Sequence, residues 1–88
     1  MPSLQNRVPE PKDVSFDEDS FWVHLSDGRT IGVPLAWFPR LLDASPAQRE
    51  DFFLSPSGIH WDAVDEDISV EGLLMGFADR VRRPADAA

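Results

Sequence analysis

The segment Phe21-Trp22-Val23-His24-Leu25 alternates in side-chain character, and after Ser26-Asp27-Gly28-Arg29 the chain resumes with the β-branched run Thr30-Ile31-Gly32-Val33. Two such runs around a turn read as a β-hairpin. Side chains on a strand alternate with a period of two, so the loop length decides which face each run presents. A two-residue Asp27-Gly28 loop would put Ile31 and Val33 on the face away from Val23 and Leu25. A three-residue loop, Ser26-Asp27-Gly28 with Gly28 left-handed, pairs Val23 with Ile31 and Phe21 with Val33, and is the arrangement expected here. Upstream, Val14-Ser15-Phe16 alternates in the same way. If Glu18-Asp19 is the tip of the first turn, Phe16 lies opposite Phe21 and Val14 opposite Val23. The result is an antiparallel meander with one apolar face: Val14, Phe16, Phe21, Val23, Leu25, Ile31 and Val33. The other face carries Asp13, Ser15, Trp22, His24, Thr30 and Gly32, with the Trp22 indole over the space that Gly32 leaves.

An apolar face of this size needs a cover. Trp37-Phe38-Pro39-Arg40-Leu41-Leu42 follows the third run and reads as that plug. Pro39 pushes Phe38 towards extended backbone and suits the first position of a helical turn, so Trp37, Leu41 and Leu42 are expected to point at the meander. Ser45-Pro46 repeats this logic, with Ser45 as N-cap of a short helix to about Asp51. Phe52-Phe53-Leu54 and Ile59-His60-Trp61 flank Ser55-Pro56-Ser57-Gly58 and read as a short hairpin pairing Leu54 with Ile59 and Phe52 with Trp61. The segment 62–67 reads as an acidic connection. A last short helix is expected from Asp67 or Ser69, with Ile68, Leu73, Leu74 and Phe77 as its apolar stripe and its end near Gly76. The fold class is α+β: an N-terminal three-stranded antiparallel meander, short helices, a short C-terminal hairpin and a final short helix. Residues 1–11, with Pro2, Pro9 and Pro11, read as an extended lead-in, residues 12–77 as a single domain, and residues 78–88 as a tail.

Composition narrows the function. With 88 residues, one domain is expected. A formal net charge of −8 disfavours direct contact with nucleic acid and favours a basic partner. Cysteine is absent, which excludes a disulfide framework, a thiolate metal site and a cysteine nucleophile. No apolar run approaches a membrane span, and a cytoplasmic location is expected.

Taken together, the Asp27-Gly28-Arg29 turn between strands, Pro34-Leu35-Ala36-Trp37-Phe38-Pro39-Arg40-Leu41, Gly58-Ile59-His60-Trp61 and Asp65-Glu66-Asp67-Ile68-Ser69-Val70-Glu71-Gly72-Leu73-Leu74 resemble a bacterial family, domain of unknown function 2442. The resemblance covers roughly residues 12 to 76. It implies a small cytoplasmic α+β domain. Some members sit beside a toxin-like partner gene or are fused to a helix-turn-helix domain, which implies an antitoxin-like or regulatory accessory role. The chain leaves no room for a helix-turn-helix after Gly76, so DNA binding by this chain itself is not expected.

The candidate site residues follow. Trp22 and His24 on the polar sheet face, with the acidic turn Asp17, Glu18 and Asp19 and with Asp65 and Glu66, are the expected contacts for a basic protein partner. Trp37, Pro39, Arg40, Trp61 and Asp67 are expected as structural anchors, with Arg40 pairing Asp65, Glu66 or Asp67 through its bidentate fork. The cluster of His60, Asp62, Asp65, Glu66 and Asp67 invites a metal or small-molecule reading, but its spacing fits no calcium loop and strand end plus helix capping explains it. Neither His24 nor His60 lies in a recognisable nucleophile motif. No metal, cofactor or catalytic residue is therefore expected. The function expected is a non-enzymatic protein-interaction domain. The alternatives are a small-molecule or metal-binding regulatory module and an acidic nucleic-acid mimic that blocks a DNA-binding enzyme.

Overall fold

The computed structural model describes residues 8–76. Strands β1 (Pro11–Phe16), β2 (Ser20–Leu25) and β3 (Thr30–Pro34) form one antiparallel sheet in the order β1-β2-β3. Two short helices follow, α1 (Pro39–Leu42) and α2 (Pro46–Glu50). Strands β4 (Phe53–Ser55), β5 (Gly58–Trp61) and β6 (Glu66–Ser69) then build a second antiparallel sheet in the order β4-β5-β6, and helix α3 (Val70–Leu74) follows directly. The expected α+β class is what the chain adopts.

The first sheet has the register that the alternation demanded. Phe16 pairs with Phe21, Val14 with Val23, Phe21 with Val33 and Val23 with Ile31. The Leu25 N–H donates to Arg29 and the Gly28 N–H donates to Leu25, so Ser26-Asp27-Gly28 is the loop, with Gly28 at φ 94°. Gly32 lies opposite Trp22, and a Cβ there would overlap the indole, 2.7 Å from its Cε3. Strand β1 starts at Pro11, inside the segment expected as lead-in. Pro11 pairs with Leu25 and Asp13 with His24, leaving Lys12 as an extra residue. Without that bulge Pro11 would face solvent, three residues from Val14. With it, Pro11 is buried beside Leu25.

Of the three plug residues expected to face the meander, Leu41 does so, whereas Trp37 and Leu42 do not. Leu35–Trp37 forms a 3-10 turn that runs into α1. The Phe38 N–H donates to Leu35 and the Leu41 N–H to Phe38, both at 2.9 Å. Successive three-residue turns bring every third side chain to one side, so Leu35, Phe38 and Leu41 are buried, while Trp37 is 36% and Leu42 46% exposed. Pro39 takes the first helical position and Phe38 is extended at φ −132°, as its proline neighbour requires. Ser45 caps α2 in a reciprocal capping box with Gln48.

The second sheet differs more. The hairpin pairs Leu54 with Ile59 as expected, but a third strand, β6, pairs with β5: Ile59 with Ile68 and Trp61 with Glu66. The segment expected as an acidic connection is instead a 3-10 turn, Asp62–Val64, then Asp65 in the left-handed region at φ 56°. Asp tolerates that conformation better than most side chains. Ile68 is thus a strand residue, and α3 begins at Val70 with Ser69 as N-cap, accepting from the Gly72 N–H at 2.9 Å. Val70 and Leu73 are its buried residues, and Gly76 at φ 83° follows its end. Phe77 and the tail lie outside the described residues.

Trp61 links the two sheets. It is fully buried, with ring centroids 6.3 Å from Phe21, 6.4 Å from Phe16 and 6.1 Å from Phe52. Its Nε1–H donates to the Arg49 carbonyl at 2.9 Å. Burying roughly 200 Å² of indole at about 25 cal/mol/Å² contributes at most ~5 kcal/mol. Phe38 meets Phe21 edge-on from the other side at 5.9 Å.

Candidate functional site

The outer face of the first sheet gathers the aromatic and polar residues that the alternation placed there. Trp22 is 40% exposed and lies on the flat floor that Gly32 provides. Its Nε1–H donates to Asp17 Oδ2 at 2.9 Å. Asp17 Oδ1 accepts the backbone N–H groups of Asp19 at 3.0 Å and Ser20 at 2.8 Å. The indole N–H first, and these two backbone donors after it, hold the Asp17 carboxyl below its ordinary value of 3.8. Asp17 is therefore the organiser of the turn and of Trp22, while Glu18 and Asp19 stand exposed at the turn. His24 lies one pair along the same face. Its Nδ1 is 3.1 Å from Thr30 Oγ1 and its Nε2 3.5 Å from Ser15 Oγ, so it bridges β1, β2 and β3.

Asp65 and Glu66 do not join this face. Glu66 is 5% exposed and lies on the side of β6 that carries Ile68, so it is no contact for a partner. Asp65 is exposed, but its backbone carbonyl accepts from Arg40 Nη1 at 2.6 Å. Arg40 thus reaches a carbonyl rather than the carboxylates expected for it, because the left-handed turn at Asp65 presents that oxygen. Arg49, not singled out in the sequence, does the heavier structural work. Its Nε donates to the Leu41 carbonyl at 2.8 Å and its Nη2 to the Leu42 carbonyl at 2.7 Å, closing the end of α1. The Leu41 carbonyl also accepts from the Ala44 N–H at 3.2 Å, so Arg49 adds to the backbone closure of that helix end, where a cation is favoured.

A second polar group occupies the outer face of the second sheet. His60 Nδ1 is 2.8 Å from Asp67 Oδ1, and His60 Nε2 is 2.7 Å from Ser55 Oγ. Phe53 stacks on the imidazole with centroids 4.9 Å apart. In the sequence Ser55 reads as a turn residue. Its tie to His60 exists only once Ser55 pairs with Gly58. Among the described residues, no three His, Asp or Glu side chains come together in a way that could hold a metal ion. No helix among them is long and apolar enough to cross a membrane. An open groove of about 600 Å³ between the start of β1 and the Ser26 turn has its charges internally paired, Lys12 with Glu10 at 3.6 Å and Arg29 with Asp27 at 2.8 Å.

Residues 11–79 match a family model described as protein of unknown function DUF2442. A crystal structure of a protein of unknown function from Rhodospirillum rubrum is similar with a TM-score of 0.71 at 26% identity, over 91% of this chain and 98% of that one. An uncharacterised protein from Chromobacterium violaceum, solved by NMR in solution, shares the fold with a TM-score of 0.71 at 22% identity, over 83% of this chain and 71% of that one. No curated protein matches the sequence significantly.

Proposed function

This chain belongs to the DUF2442 family, and we propose that it works as a protein-interaction domain whose first sheet receives a basic partner protein in an antitoxin-like way. The observation that carries this reading is the exposed, immobilised indole of Trp22. Its N–H is held by Asp17 and its ring lies over Gly32. An aromatic side chain fixed before binding loses little conformational freedom when a partner covers it. Trp is also among the residues that most often dominate interfaces. The exposed Glu18 and Asp19 beside it, and the net charge of −8, favour a basic partner and speed its approach. The same charge argues against direct contact with nucleic acid. The role proposed for this face is binding rather than catalysis, in the cytoplasm and with no cofactor.

The test is co-purification with the product of the adjacent gene. The expected result is a complex that weakens at least about tenfold with Trp22→Ala, the effect of losing an interface residue worth ~1.4 kcal/mol or more. It should also weaken with rising salt. A complex that is indifferent to Trp22→Ala and to neutralising Glu18 and Asp19, or the absence of any complex, overturns the reading.

A further inference from the structure

The outer face of the second sheet carries a separate constellation. Ser55, His60 and Asp67 come from three adjacent strands, and their contacts at 2.7 Å and 2.8 Å run in series through one imidazole. The donor and acceptor types of these groups set the protonation pattern of the neutral imidazole. An ionised carboxylate only accepts, so Nδ1 carries the proton that Asp67 Oδ1 receives. In the neutral ring Nε2 is then the acceptor, and the Ser55 hydroxyl donates to it. The competing acceptor for that hydroxyl, the Gly58 carbonyl, is more distant at 3.5 Å. Phe53 fixes the plane of the ring by stacking on it. Nucleophile, base and orienting carboxylate thus stand in the order that activates a hydroxyl. A shallow cleft of about 170 Å³ opens beside His60 and Asp67.

We propose that Ser55 is an activated nucleophile that accepts an acyl group from small activated esters, with His60 as its general base and Asp67 as the positioning residue. As Ser55 Oγ bonds to the carbonyl carbon, its proton passes to His60 Nε2. The bond from that carbon to the leaving oxygen breaks, and the leaving group departs with the electron pair. The proton on His60 goes to the leaving group where that is basic enough and otherwise to bulk water, so Nε2 is free again before the second step. Water, losing a proton to Nε2, then adds to the acyl carbon. Ser55 leaves with its electrons and takes that proton back, and the carboxylic acid is released. The base alone contributes about 10²–10⁴-fold, so the donors must carry good leaving groups.

The experiment uses the full chain with p-nitrophenyl acetate and a fluorophosphonate reporter, with the modified residue mapped by peptide mass spectrometry. Adducts on Ser55 are expected, lost in Ser55→Ala. Asp67→Asn keeps the size of the side chain but offers His60 a donor, favours the other tautomer, and slows acylation by at least about ten-fold. His60→Ala abolishes it, and added imidazole restores part of the rate, which a merely structural role would not allow. Circular dichroism confirms that each variant is folded. A native chain that gains no adduct, adducts only on other residues, or equal rates in Asp67→Asn overturns the proposal.

Discussion

At the scale of single residues, Trp22 and Gly32 form one unit. In Gly32→Ala the new methyl group meets the ring, so either the indole or the strand must move. We expect a loss of about 1–3 kcal/mol, the range for overpacking, measured by urea denaturation. The same substitution in a Trp22→Ala background should cost far less, and a double-mutant cycle checks the coupling. Asp17 gives a pH dependence of definite sign. Its carboxyl is lowered below 3.8 in the folded chain, so between the two values the unfolded chain binds more protons. The contribution is complete above the unfolded value and is lost as the pH falls through the folded one. Thermal melts from pH 5 down to pH 2 should show the acid-side decline reduced in Trp22→Phe, which removes the largest cause of the lowering.

At the scale of elements, α1 depends on Arg49 more than on Arg40. Arg49 reaches two carbonyls at its end, whereas Arg40 reaches one exposed carbonyl. We expect Arg49→Ala to cost about 1.5–3 kcal/mol, as for hydrogen bonds to a charged group, and Arg40→Ala less, both read from urea midpoints. These elements also show what a sequence can tell. The first sheet was legible because its turn residues and its alternation agreed. The capping of α2 was legible because Ser45 and Pro46 are local signals. Strand β6 was hidden because Asp and Glu are depleted from strands. Its own alternation, Glu66 and Ile68 inward with Asp67 and Ser69 outward, was outweighed by composition. In the plug, Leu41 is on the side that the proline-started turn implies, but Trp37 and Leu42 are not, because the turns there repeat every three residues. At the site, Trp22 over Gly32 followed from register, but Arg49 meets the Leu41 and Leu42 carbonyls, and Ser55 meets His60, only once the intervening turns fold them together.

At the scale of the whole molecule, both sheets share one core through Trp61. A chain of this size has about 5–15 kcal/mol of stability at most. Trp61→Ala removes about 3–5 kcal/mol and also the hydrogen bond to the Arg49 carbonyl. The expected outcome is a loss of the cooperative thermal transition in circular dichroism, with neither sheet surviving alone. The placement of the three tryptophans has an optical consequence. Trp61 is sealed, while Trp22 and Trp37 are 40% and 36% exposed on different elements. A dissolved quencher such as acrylamide can reach two of the three emitters in the native chain. A ligand that covers the first sheet would remove one of those two from its reach. The unlabelled protein therefore carries its own reporter for occupancy of that face.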